Sequence, residues 1–156
     1  MDQRWKFGVG TRGTLDTLRV IEDPVYYEEL EPRDVAVDAK AWGLSFRDVF
    51  IALGCMDENH FGLDAGEYLT RVGSDCTEFK SGDRVVLACC GSLRMHLRAD
   101  ERLIIKIPDK MGFEDAASLP APAVTTYYCM TDITRLQKGE KVLIHSAAGS
   151  TGQLRS

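Results

Sequence analysis

Two stretches of this sequence have residue types and spacing that could do chemistry. In the first, Val142-Leu143-Ile144 leads into Ala147-Ala148-Gly149-Ser150-Thr151-Gly152, an A-x-G-x-x-G series behind an apolar run. Small residues there let backbone amides approach a pyrophosphate closely, and a helix opening behind them turns its positive end toward the anion. Residues 153–156 are all that remain for that helix, so a glycine-rich turn in an unstructured tail is the competing reading. The second stretch is Ser45-Phe46-Arg47-Asp48, a hydroxyl, a guanidinium and a carboxylate around an aromatic ring. Arg47 and Asp48 read either as reactive groups or as a neighbouring ion pair that fixes a short helix.

Metal and thiol chemistry find little support. His60, His96 and His145 are scattered, without the spacing that brings three or four ligands onto one zinc ion, and His145 reads as a packed or backbone-bonded imidazole at a strand end. Cys55, Cys76, Cys89, Cys90 and Cys129 are odd in number and contain no C-x-x-C pair, so they read as reduced thiols, with Cys89 and Cys90 packed at the end of an apolar run. Tyr26-Tyr27 and Tyr127-Tyr128 read as core and rim aromatics.

These residues need elements to position them. Residues 34–41 alternate, with Val35, Val37, Ala39 and Ala41 on one face, the period of a half-buried strand. Further strands are expected at 68–72, 84–89, 95–98 and 103–107, separated by turns at 73–75, 80–83, 90–92 and 107–109. Many short strands punctuated this way indicate an antiparallel barrel or sandwich. Between strands, Phe46, Val49, Phe50 and Leu53 recur at helical spacing, with Ser45 able to cap the first turn. After Pro108 the pattern changes to a short helix at 113–118, a second helix at 123–136 led by Pro122, a turn at 137–140 and an apolar strand at 141–145.

The chain has 156 residues, 19 basic and 24 acidic side chains and 44% apolar residues, the composition of a globular protein. A formal charge of −5 without a basic cluster speaks against nucleic acid, and no apolar run approaches the roughly 20 residues that span a bilayer. With no secretory pattern in its first residues, a cytoplasmic location is the expectation.

A series of segments, in collinear order, carries a resemblance. Gly43-Leu44-Ser45-Phe46-Arg47-Asp48-Val49, Thr70-Arg71-Val72-Gly73, Phe79-Lys80-Ser81-Gly82-Asp83-Arg84-Val85, Ala116-Ala117-Ser118-Leu119-Pro120, Thr125-Thr126-Tyr127-Tyr128 and Val142 through Gly149 resemble the enoyl reductase domain of polyketide synthases, nearest to the fungal highly reducing ones. These are zinc-independent medium-chain dehydrogenase/reductases. The resemblance implies a mostly β chain: a GroES-like β-barrel over 1–120, then the beginning of a Rossmann-type NADP-binding domain over 121–156. It implies hydride transfer from NADPH to the β-carbon of an α,β-unsaturated acyl thioester held on a carrier protein. Carried over by position, Ser45, Thr125, Ala147, Gly149 and Gly152 are the expected cofactor-side residues. For Thr125 a hydroxyl bonded back to its own helix is the competing reading.

The departures from the family pattern also set expectations. Ser45 replaces a usual Asn, Met56 stands where some bacterial relatives carry a stereochemistry-linked Tyr, and Gly149-Ser150-Thr151-Gly152 replaces G-G-V-G. Gly62-Leu63-Asp64-Ala65-Gly66-Glu67 replaces G-x-E-C-A-G, putting the Glu67 carboxylate where a glycine would permit close backbone approach. Zinc-dependent relatives place Cys and His at the positions of Ser45 and Leu63, so no metal is expected. The family's proposed lysine and aspartate proton donors fall beyond Ser156, so this chain alone is expected to bind NADPH weakly, to be inactive, and to hold its last segment loosely. It would then act as part of a reductase. The alternatives are a non-catalytic GroES-like module that pairs with a C-terminal half or self-associates through the exposed 141–145 strand, and a zinc-free quinone-reductase-like oxidoreductase.

Overall fold

The computed structural model describes residues 4–24 and 29–154, so Tyr26 and Tyr27 lie outside the described residues. Seven strands dominate: β1 (Trp5–Val9), β2 (Leu18–Glu22), β3 (Asp34–Gly43), β4 (Asp64–Val72), β5 (Arg84–Ala88), β6 (His96–Asp100) and β7 (Ile104–Lys106). β1 and β2 form an antiparallel ribbon, and the other five form an antiparallel sheet in the order β6-β3-β4-β5-β7. The ribbon joins the sheet before β6, where the Phe7 amide donates to the Leu93 carbonyl at 3.0 Å and the Met95 amide to the Trp5 carbonyl at 3.0 Å.

Alternation in the sequence explains what this sheet encloses. Val35, Val37 and Ala39 of β3, Leu69 of β4, Val85 and Leu87 of β5, Leu97 and Ala99 of β6 and Ile104 of β7 form one buried cluster. Among the described residues, the partly buried hydrophobics packed against it are Cys76 and Phe79 from the β4–β5 loop and Trp42, Val72 and Cys89 at or beside strand ends, so the strands bury one another. A flat single layer leaves one face wet, and mutual burial therefore requires the sheet to curl into a barrel. Register shifts between Ala36 and Val37 and between Ala39 and Ala41 supply bends in β3.

Two strands and the start of a third were not legible in the residue pattern. β1 alternates Trp5, Phe7 and Val9 with Lys6 and Gly8 over only five residues, and β2 breaks alternation at Val20-Ile21, so tertiary pairing decides them. β4 begins at Asp64, four residues before its expected start, because two flanking strands supply ladders to an acidic, glycine-containing stretch of low intrinsic propensity.

Helix α1 (Phe46–Ala52) interrupts the strands as expected. After β7 come α2 (Phe113–Ala117), α3 (Pro120–Tyr128) with a wider turn over Cys129–Ile133, and α4 (Ser150–Gln153). Pro120 and Pro122 sit in the first turn of α3, where a missing N–H costs nothing, and the helix starts three residues before its expected start at 123. The expected strand at 141–145 is absent. No strand lies alongside to complete its ladder among the described residues, Leu143 is 83% exposed, and a partner would meet no preformed strand edge there. Tyr127 and Tyr128, expected as core and rim, are exposed, as is Cys90, whereas Cys89 packs against the barrel core.

Candidate functional site: a cleft between barrel wall and glycine loop

The barrel side of the site is built by α1. Ser45 precedes it with extended backbone, and Asp48 reaches back to accept from the Ser45 amide at 2.9 Å and its hydroxyl at 3.2 Å. The other Asp48 oxygen takes the Gly62 amide at 2.7 Å, tying the helix start to the barrel rim. The expected Arg47–Asp48 ion pair does not form. With Asp48 occupied by three donors, Arg47 turns to the Glu58 carboxylate and, at 2.9 Å, to the His60 carbonyl. Its outward face leaves Phe46 79% exposed over an open cleft.

The opposite wall is α3 and the glycine loop. Thr125 on α3 faces the cleft with no hydrogen bond from its hydroxyl among the described residues, so the back-bonded arrangement is not adopted. Its neighbour Thr126 instead donates to the Thr151 carbonyl at 2.8 Å, joining α3 to the loop. Gly149 caps α4, and the amides of Ser150, Thr151 and Gly152 form its first turn, where no intrahelical acceptor is available. Gly152 is buried against Ala147: a Cβ there would stand 2.6 Å from the Ala147 Cα, so glycine is required for packing.

Two adjoining cavities that share Phe46, Thr125, Ser150 and Thr151 result. The larger, about 810 Å³, lies between Ser45 and Phe46 on one side and Thr125, Ser150 and Thr151 on the other, with Asp64 and Glu114 in its lining. The smaller, about 500 Å³, shares Phe46, Thr125, Ser150 and Thr151 and extends to Gly149, Gly152 and His145, with no carboxylate in its lining. Of the five residues singled out above, Ser45, Thr125, Gly149 and Gly152 line these cavities, while Ala147 lies behind them as the seat for Gly152. His145 is exposed at the smaller cavity rather than packed, since the strand that would have buried it does not form.

Asp64 was not legible as a site residue. It is 6% exposed, and its Oδ1 accepts the Ala121 amide at 3.1 Å. Burial pushes its carboxyl up to about 6; the Ala121 amide opposes this and nearby Asp48 adds to it. The close backbone approach expected at Glu67 occurs one residue earlier, at Gly66, where a Cβ would stand 2.5 Å from the Phe113 carbonyl. Glu67 instead points inward. Among the described residues, no group of three or more His, Cys, Asp and Glu side chains converges to hold a metal ion, and no helix is long and apolar enough to cross a membrane.

No family model matches the chain. Highly reducing polyketide synthase 2 of Gibberella zeae is 43% identical over 152 residues, which are 96% of this chain and 6% of that protein. Reducing polyketide synthase hmp8 of Hypomyces subiculosus is 41% identical over 145 residues, with 93% and 6% covered. In structure, CurK enoyl reductase superposes with a TM-score of 0.90 at 28% identity, covering 99% of this chain and 50% of that one. Mycobacterial Rv1454c, solved in complex with NADPH, superposes with a TM-score of 0.84 at 25% identity over 97% of this chain and 48% of that one. The chain thus spans about half of the solved proteins it matches and a small part of the curated relatives. The chain is similar over nearly all its length to a segment of highly reducing polyketide synthases, at about 40% identity, and its fold of curled β-barrel and glycine loop is that of the solved CurK enoyl reductase.

Proposed function

We propose that this chain supplies the barrel wall and the phosphate-binding loop of an NADPH-dependent enoyl reductase acting on α,β-unsaturated acyl thioesters. The observation that carries the reading is the meeting of Ser45, Phe46 and Thr125 with Ser150 and Thr151 around one cleft. The two cavities fall within the range that holds small-molecule and cofactor ligands. Their charge divides the ligand. A diphosphate suits the smaller cavity, which has the first-turn amides of α4 and no lining carboxylate, while in the larger one Asp64 and Glu114, with Arg47 already engaged by Glu58, favour the uncharged carboxamide and acyl parts. The nicotinamide, when bound, supplies the hydride that reduces the β-carbon. Around it the chain's own residues would hold the ligand: Thr125 and Ser45 as hydroxyl partners, Phe46 as an apolar wall, Gly149 and Gly152 as the close-approach positions, and Ala147 as their support.

The acyl group is proposed to arrive on a carrier protein, because the relatives are polyketide synthases. Those relatives also favour the enoyl over the quinone substrate. The division of the chain at 120/121 is likewise our reading; it falls in the first turn of α3, between the barrel-packed α2 and the loop-bearing segment.

Fluorescence titration with NADPH tests the assignment. Saturable enhancement, lost when Gly152→Val drives a side chain into Ala147, is the expected result, with an affinity weaker than that of a complete dinucleotide site. No saturable signal in the native chain contradicts the reading. Adding a 2-enoyl thioester and NADPH deuterated at nicotinamide C4 extends the test from binding to turnover, since hydride transfer leaves the label on the β-carbon.

A further inference from the structure

The first turn of α3 has an unusual donor inventory. Pro120 and Pro122 have no N–H, and the Ala123 amide is already bonded to the Leu119 carbonyl at 2.8 Å. That leaves Ala121 as the one donor needing a partner from outside. Leu119, at the cap position, has no side-chain acceptor. The partner is Asp64, 57 residues away in sequence, whose Oδ1 accepts the Ala121 amide at 3.1 Å.

Asp64 is itself held firmly. It begins β4 between Gly43 of β3 and Ala88 of β5, and its carbonyl accepts from the buried Ser92 hydroxyl at 3.3 Å. At the other end of the same helical stretch, the Thr126 hydroxyl donates to the Thr151 carbonyl at 2.8 Å. Two side-chain hydrogen bonds therefore connect the barrel to α3, and α3 to the loop that bears Gly149 and Gly152. Between them the helix face carries Thr125, which lines both cavities.

Building on the function proposed above, we infer that Asp64 and Thr126 are positioning residues that hold the glycine loop at a set separation from the barrel wall, so that strand β4 fixes the width of the cleft through α3. Asp64 is suited to the role because it acts as a helix cap from a central strand rather than from the helix's own flexible flank. The small-residue seat of α2, where a Cβ on Gly43 would stand 2.6 Å from the Ala117 carbonyl, brings the chain down to Asp64 but provides no link to the loop.

The carboxyl's protonation state gives a direct probe. The charged or titratable groups that share its surroundings are Arg47 and Asp48 on α1 and Glu114 on α2; α3 carries Tyr127 and Tyr128, neither of which lines the cavity, and His145 lies beside the glycine loop. In the nitrogen-15-labelled chain, the Ala121 amide resonance should move with a midpoint of about 6 as Asp64 ionises. The Gly152 amide, which shares a peptide plane with the Thr151 carbonyl, should move in step with it. Asp64→Asn should remove the common midpoint from both. Thr126→Val should leave Ala121 titrating and uncouple Gly152, while Thr126→Ser should restore the coupling. A Gly152 resonance that ignores the Ala121 midpoint in the native chain, or still follows it in Thr126→Val, overturns the inference.

NADPH affinity supplies the functional readout. In a chain that binds NADPH, Asp64→Ala and Thr126→Val should each weaken it by about 2- to 30-fold, with recovery in Asp64→Asn and Thr126→Ser. Unchanged affinity in both disrupting variants would also overturn the positioning role. Failure of the native chain to bind NADPH would count against the proposed function alone, because the amide titrations decide the link between barrel and loop without any ligand.

Discussion

Glu67 faces the interior of the barrel, opposite Ala39 and Val85, and is wholly buried with neither carboxylate oxygen hydrogen-bonded. Burial, reinforced by the charge of Asp38, raises its carboxyl well above the ordinary value of 4.5. A carboxyl whose folded value is raised favours the native state below the unfolded value and loses that advantage as pH rises through the folded one. Asp64, raised from 3.8 to about 6, acts in the same direction. Stability is therefore expected to fall from these two groups as pH rises above about 4. Glu67→Met should stabilise the chain by about 1–3 kcal/mol at pH 8 and by less at pH 5. Urea unfolding at the two pH values checks this, and an equal gain at both would refute a raised Glu67 carboxyl. Neither carboxyl could be placed from sequence: a one-residue offset along a strand exchanges its faces, so which of Asp64 and Glu67 meets the core depends on where β4 begins.

At the scale of elements, glycine decides how closely the helices sit on the barrel. Gly66 lies on the outer face of β4, where the Phe113 carbonyl leaves no room for a side chain, and the Val86, Ile107 and Ala116 cluster holds α2 in place beside it. The closest neighbour is main chain, so it cannot rotate away. Gly66→Ala is expected to destabilise the chain by about 1–3 kcal/mol despite the better strand propensity of alanine. A denaturation midpoint equal to or above the native one would show that α2 shifts freely. Two helices were readable, α1 from its apolar spacing and α2 from its first-turn acids, whereas α3, expected over 123–136, starts at Pro120 and gives way to the wider turn after Tyr128. The strand at 141–145 was misread because an apolar run states that a segment can be buried in a sheet, whereas pairing depends on a neighbour that the pattern does not contain.

For the whole molecule, order is unevenly distributed. The barrel is cross-linked by ladders on every central strand, whereas the path from Thr134 to His145 has turns, no ladder and exposed side chains. Trypsin should therefore cut first after Arg135, Lys138 or Lys141 and leave the barrel intact, as mass spectrometry of the early products would reveal. Initial cleavage within the β3–β5 sheet would contradict this ordering. The wall and loop of the cleft were legible as separate motifs, Ser45-Phe46-Arg47-Asp48 and Ala147 through Gly152. Their meeting was implied by the family resemblance alone, because it depends on Asp64 and Thr126, two contacts across the fold that no local spacing encodes.

Hydrogen–deuterium exchange with and without excess NADPH tests the central claim most directly, because it asks whether wall and loop respond together. The account predicts protection in two peptides, one spanning Ser45 and Phe46 and one spanning Gly149 to Gly152, with the barrel strands unchanged. Protection confined to one of them, or found only at a surface remote from both, would contradict a dinucleotide site in this cleft.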